Sequence, residues 1–240
     1  MTEEKSLEML LKAMADLQDR GDHADLMITC GSDSYKVHKA IVCSQSEFFR
    51  LACRNHHNAE GDFKEAKTGI VEIPCRNINT SATEPEDFKW NPDAEDPKCV
   101  KNMIHYLYRL DYLEVETAKI TTMDIDDEVF DKTYALAEGI LIEHAKMYAM
   151  ADKYGIPGLK DLALKKYEKA HEHTSAGFAN SMIVAFTSTV DSDKDLRQVI
   201  IDILHGDLVN LMEKEEINLN AKELPLLSHA LLRKRLDLSP

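Results

Sequence analysis

No apolar run in the 240-residue chain approaches the roughly 18 residues that a membrane-spanning helix requires, so no bilayer-crossing segment is expected. Cysteine is sparse: there are five, an odd number, and none shares a Cys-x-x-Cys spacing. That argues against zinc-finger ligation and for reduced thiols in a cytoplasmic or nuclear protein. The nine glycines are scattered, and none builds a loop that would cradle a phosphate. Positive charge is also short, with 29 Lys and Arg against 43 Asp and Glu. The net charge of −14 repels nucleic-acid phosphates over most of the surface. The compact basic cluster Arg233-Lys234-Arg235 reads as a complement to the C-terminal pole of a helix, with nuclear import as the alternative. The N-terminal MTEEKSLEMLLKAMADLQDR has no basic region ahead of an apolar core, so no signal peptide is expected.

What is present is ordinary globular composition, 44% apolar and 30% charged. Leu7, Leu10, Leu11, Met14 and Leu17 recur at helical spacing, which predicts an apolar stripe on a helix over about 6–18, ended by Gly21-Asp22. Leu26, Ile28 and Cys30 alternate as in a half-buried strand, and Tyr35 and Val37 resume after the turn residues Gly31-Ser32-Asp33, so the pair predicts a β-hairpin. A short helix is expected from Lys39. Ser44-x-x-Glu47 matches a capping box for the next helix, which carries Phe48, Phe49 and Leu51. Ile70 to Ile73 reads as a strand stopped by Pro74.

Residues 76–95 read as a polar insert with Pro85 and Pro92. Asp96-Pro97 is an N-cap with proline at the first helical position, followed by the stripe Val100, Met103, Ile104 and Leu107. A short strand is expected over 112–115 and a second insert over about 116–133. From Tyr134 onward the pattern is helical, with Gly155 as a left-handed cap and Pro157 opening the next helix. Later stripes fall at Ala179/Met182/Ile183/Phe186, Leu196/Val199/Ile200/Ile203, Leu208/Leu211/Met212 and Leu227/Ala230/Leu231.

No constellation of reactive side chains rises to an active site. Tyr35-x-x-x-Lys39 matches the Tyr/Lys pair of short-chain dehydrogenases, yet no glycine-rich dinucleotide turn precedes it. His171 and His173 sit at i, i+2 on a helix end, where their rings diverge, and no Cys or Asp cluster adds ligands to them or to His56-His57. Cys43 lies among Ala40, Ile41 and Val42 and reads as a small buried hydrophobe, while Ser44 and Ser46 read as helix-start residues. Neither an enzyme nor a cofactor or metal is expected.

The order of segments carries a resemblance. Asp25-Leu26-Met27-Ile28, the hairpin, Val37-His38-Lys39-Ala40-Ile41-Val42, Ser46-Glu47-Phe48-Phe49 and Phe63-Lys64-Glu65 follow one another. Ile70 to Pro74, Met103 to Tyr108, Asp111-Tyr112 and Ala149 to Leu159 complete the series. In that order they resemble BTB/POZ domains. The Ala-Asp-Lys-Tyr-Gly-Ile-Pro-Gly-Leu-Lys wording of 151–160 is similar to BTB proteins of filamentous fungi. Arg109-Leu110 stand where the family often has Thr-Gly.

The resemblance implies an α+β fold, a small β-sheet flanked by helical hairpins, with an all-α C-terminal extension. It divides the chain into an N-terminal helix at 1–20, a BTB/POZ domain at 21–170 broken by the inserts, and the extension at 171–240. It also implies a non-enzymatic protein–protein interaction module in which His38, Phe48 and Phe49 are structural. Homodimerisation is implied through the stripe Leu7, Leu10, Leu11, Met14 and Leu17. Two further partner readings follow. One is a cullin-RING ubiquitin ligase adaptor, with Phe63, Lys64 and Glu65 as the cullin contact. The other is a transcriptional regulator acting through corepressors, with Asp25 and Lys39 forming a charged pocket.

Overall fold

The computed structural model describes residues 3–54, 64–75, 94–113, 127–173 and 177–237, with the backbone alone for 127–138 and 173. The chain clusters into two compact units, residues 1–113 with 150–160, and residues 114–149 with 161–240.

In the first unit, α1 (Glu3–Arg20) precedes β1 (Leu26–Cys30) and β2 (Asp33–Val37). Two short helices follow, α2 (Lys39–Gln45) and α3 (Glu47–Ala52), then α4 (Lys64–Thr68), β3 (Ile70–Ile73) and α5 (Pro97–Arg109). Helix α1 extends beyond the expected 6–18 at both ends: Glu3 and Glu4 favour its positive N-terminal pole, and Arg20 its last turn.

The strands form one mixed sheet in the order β2-β1-β3. The hairpin runs antiparallel from Leu26↔Val37 to Cys30↔Asp33, across a Gly31-Ser32 turn in which Gly31 takes φ +60°. β3 lies parallel to β1, from Met27↔Ile70 to Cys30↔Ile73. The period-two pattern buries Leu26, Ile28 and Cys30 on β1 and Val71 and Ile73 on β3, which builds the core on one sheet face. Tyr112 and Leu113 lie outside any strand, contrary to the expected strand there, and residues 114 and 115 fall outside the described residues. With its ring buried, Tyr112 serves the core rather than a sheet edge.

Helix starts follow side-chain chemistry. The Asp96 carboxylate accepts the Lys98 N–H at 3.0 Å ahead of Pro97, and Val100, Met103, Ile104 and Leu107 are all buried, as their spacing predicts. The cap of α3 is Ser46 rather than the expected Ser44. Ser46 is extended (φ −126°, ψ 121°) and its Oγ accepts the Phe49 N–H, whereas Ser44 is still inside α2 and donates to the Ile41 carbonyl.

Helices α6 (Asp127–Lys153) and α7 (Pro157–His173) have residues in both units; Gly155, at φ +60°, ends the first and Pro157 opens the second. The second unit adds α8 (Phe178–Ser188), α9 (Asp195–Gly206), α10 (Leu208–Met212), α11 (Glu215–Glu223) and α12 (Pro225–Arg235). Its core gathers Leu141, Ala145, Tyr167, Met182, Leu196, Ile200 and Leu227. The buried hydroxyls inside it are satisfied: Tyr148 donates to Asp193 Oδ1 at 2.7 Å, and Tyr167 Oη meets Ser181 Oγ at 2.7 Å. Ser181 in turn donates to the Phe178 carbonyl, so the proton between Tyr167 and Ser181 belongs to the tyrosine. Arg233, Lys234 and Arg235 form the last turn of α12, where cations suit the helix pole. No described helix is long and apolar enough to cross a membrane.

Candidate interaction surfaces

Helix α1 contains no buried residue. Its stripe splits in two. Leu11, Met14 and Leu17 are half-buried, while Leu7 and Leu10 are 53% and 57% exposed, joined by Met9 at 57%. The C-terminal end of α1 is held by an ion pair between Asp19 and Arg109 of α5, Oδ1 to Nη2 at 2.7 Å. Two of the five members of the sequence-predicted dimer stripe, Leu7 and Leu10, are thus apolar surface on an acidic helix, a paired exposure that marks an interaction site more often than an isolated exposed leucine does.

His38 sits where β2 hands over to α2 and is 8% exposed. Its Nε2 lies 2.6 Å from the Asp22 carbonyl and its Nδ1 lies 2.7 Å from Tyr108 Oη. A carbonyl only accepts, so the ring proton is on Nε2 and Nδ1 accepts from the phenol. The same phenol oxygen accepts the His38 backbone N–H at 2.9 Å. Burial pushes the Tyr108 phenol above its ordinary range. Asp25 and Lys39, the sequence-predicted charged pair, meet through the backbone: Asp25 Oδ1 accepts the Lys39 N–H at 2.7 Å and so caps α2 from a distance.

The two phenylalanines separate. Phe49 is fully buried, while Phe48 is 39% exposed. Both pack on Tyr154, Phe48 edge-on at 4.9 Å between centroids and Phe49 stacked at 6.0 Å. Ser46 Oγ donates to the Tyr154 carbonyl at 2.6 Å, and the Glu47 N–H reaches the Gly155 carbonyl at 3.1 Å, so the start of α3 is laced to this turn. A Cβ on Gly155 would stand 2.8 Å from Glu47 Cβ.

Of the sequence-predicted cullin triplet, Phe63 lies outside the described residues. Lys64 is exposed at the start of α4 with Nζ 3.3 Å from Glu72, and Glu65 is half-buried. The cysteines are free thiols. Burial, and secondarily the neighbouring Cys53 thiol, push Cys43 up to about 12, so at neutral pH it is a protonated, weakly nucleophilic group. Burial first, with Cys75 beside it, does the same to Cys30.

Sequence reasoning missed a charged feature. Glu95, at the edge of the polar insert, is 5% exposed; it bridges to Cys75 in the backbone and pairs with Lys153, Oε1 to Nζ at 2.8 Å. Burial, with Glu95 next, drives the Tyr154 phenol far up. The only signal was that Glu95 directly precedes the Asp96 cap. These sites supply packing, hydrogen bonding and exposed apolar surface, and none aligns a nucleophile with a base.

The family model of the BTB/POZ domain matches residues 14–171, well over half of the chain. The match starts inside α1, so Leu7, Leu10 and Leu11 precede it. No curated protein matches the sequence.

Proposed function

The chain belongs to the BTB/POZ family, whose domains mediate self-association and the binding of other proteins, and from that premise we propose that it homodimerises through α1 and recruits partner proteins. On this reading residues 1–20 are the dimerisation helix, 21–170 the BTB/POZ domain with its inserts, and 171–240 a helical extension. On the same reading the chain works in the cytoplasm or nucleus, and the wording of 151–160 groups it with the BTB proteins of filamentous fungi.

The exposure of Leu7 and Leu10 on a helix with no buried residue carries this reading. Each such side chain contributes about 1.5–3 kcal/mol when covered from full exposure; because Leu11, Met14 and Leu17 are already half-buried, the stripe supplies less than the roughly 10 kcal/mol of five free side chains. Association and ordering costs of similar size oppose it, so the net balance is close and rests on measurement. Light scattering on the whole protein and on a chain lacking residues 1–20 tests it: a mass twice 27.2 kDa for the first and a single copy for the second are expected. Single copies in both samples overturn it.

A second reading, docking to a cullin, draws support from Lys64, exposed at the start of α4. Pull-down with a purified cullin, comparing wild type with Phe63→Ala/Glu65→Lys, is its test, and absence of wild-type binding rejects it. Corepressor recruitment through Asp25 and Lys39 has less behind it, because Asp25 is already engaged as a helix cap.

A further inference from the structure

The second unit holds a groove of about 590 Å³ between α9 and α12, with Phe186 of α8 among its lining residues. From α9 come Lys194 at the N-cap, Gln198 and Ile201; from α12 come Leu226, Ala230 and Arg233. Both sets are spaced i, i+4, i+7, so each lies along one face of its helix over two turns. A groove lined by one stripe from each of two packed helices is a seat for a third helix.

The groove's chemistry is opposite to that of the chain. Phe186, Ile201, Leu226 and Ala230 are apolar, and Leu226 is 50% exposed. Lysine and arginine supply four lining residues, Lys194, Arg197, Arg233 and Lys234, against the single carboxylate of Asp191. This occurs in a protein of net charge −14. Arg197 is a fixed cation. It is 7% exposed, lies 5.2 Å over the Phe186 ring, and donates to Asp191 and to the Thr189 carbonyl at 3.0 and 2.7 Å. Lys234 pairs with Asp202, as Arg197 does with Asp191, so each of these two cations is offset by a carboxylate. An apolar channel rimmed with cations is complementary to a helix with an apolar stripe flanked by carboxylates.

We propose that this groove seats an acidic amphipathic helix of a partner protein. Leucine-like side chains at i, i+3 or i+4, and i+7 enter between Ile201 and Leu226 and reach Phe186, while flanking Glu or Asp side chains meet Lys194 and Arg233. The inference extends the reading that the chain recruits partners. It does not depend on self-association, whose stripe belongs to the first unit.

Fluorescence anisotropy on the full chain tests it. The probe is a labelled 18-residue designed helix with one leucine stripe and glutamate elsewhere; its control has lysine in place of glutamate. The expected result is saturable binding of the glutamate probe, with Kd of about 10–100 μM at low salt, weakening as salt rises. The lysine probe, although favoured by the net charge, is expected not to compete for the site. Lys194→Glu/Arg233→Glu weakens binding at least about tenfold, and Ala230→Trp, which fills the channel without altering charge, does likewise. If Ala230→Trp does not fold by circular dichroism, the surface charge pair decides alone. Absence of saturable binding to wild type overturns the proposal, as do equal binding of both probes, an unaltered Kd in the charge variant, or full displacement by millimolar phosphate, which would mark a small-anion site. Light scattering on the same samples separates the two readings, since lost probe binding with the dimer intact rejects only the groove.

Discussion

The phenol oxygen of Tyr108 is shared by two groups of His38, accepting its backbone N–H at 2.9 Å and donating to its ring Nδ1 at 2.7 Å. Seventy positions of sequence separate the partners, and their bond fixes α5 against the start of α2.

Removing either partner leaves buried polar groups unmet. Tyr108→Phe is expected to cost about 1–3 kcal/mol, because it strands the His38 N–H and Nδ1. His38→Ala keeps the backbone N–H bond but strands the Tyr108 hydroxyl proton and the Asp22 carbonyl and opens a void, so about 3 kcal/mol is expected. Urea denaturation of the single and double variants checks this. The double variant should lose less than the sum of the singles, and strict additivity would contradict a shared network.

Much of this framework was legible in the sequence, for local reasons. Leu26/Ile28/Cys30 and Tyr35/Val37 flank a Gly-containing turn, so period and turn chemistry agreed. Asp96-Pro97 and Gly155-Ile156-Pro157 announce a helix start and a helix stop with residues suited to little else. The misses have non-local causes. Ser44 and Ser46 are equally good caps by type, and only the docking of α3 on the Tyr154 carbonyl selects Ser46. Glu95 looked like loop polarity until Lys153, 58 positions on, gave it a partner. Helix α11 offers Ile217 and Ala221 as its buried residues, too few to register as a stripe. Of the candidate surface, the α1 stripe was readable as a stripe, but its division into half-buried and exposed members depends on what α1 packs against.

Two positions with left-handed backbone should respond oppositely to substitution. Leu110 closes α5 at φ 56° and is 46% exposed. Leu110→Gly removes the steric penalty of a side chain there and is expected to raise stability by about 1 kcal/mol. Gly155 combines φ +60° with a Cβ site 2.8 Å from Glu47 Cβ, so Gly155→Ala should cost about 2 kcal/mol or more. Thermal melting of both variants checks the pair, and equal signs would refute the conformational account.

Stability should fall on both sides of neutrality. Cys30 and Cys43 rise from 9.0 to about 12 and Tyr35 from 10.0 to about 12, each chiefly through burial. Above about pH 9 the unfolded chain therefore releases protons that the folded chain retains, and stability drops as pH rises. His105 and His171 are lowered, again chiefly by burial, so below 6.5 the unfolded chain takes up protons first and stability drops as pH falls. Urea midpoints at about pH 5.5, 7.5 and 10 should peak at the middle value, and Cys43→Ala should flatten the alkaline limb. A midpoint that climbs from 7.5 to 10 would contradict these burial effects.

Self-association through α1 is the claim on which the functional reading turns, and sedimentation equilibrium of wild type beside Leu7→Glu/Leu10→Glu tests it most directly. Both leucines are more than half exposed, so the substitutions leave the fold of each copy intact while adding charge to the stripe. Wild type is expected at twice 27.2 kDa and the variant at 27.2 kDa with an unchanged circular dichroism spectrum. A wild-type protein that stays at 27.2 kDa at about 100 μM, or a variant that pairs as well as wild type, contradicts it.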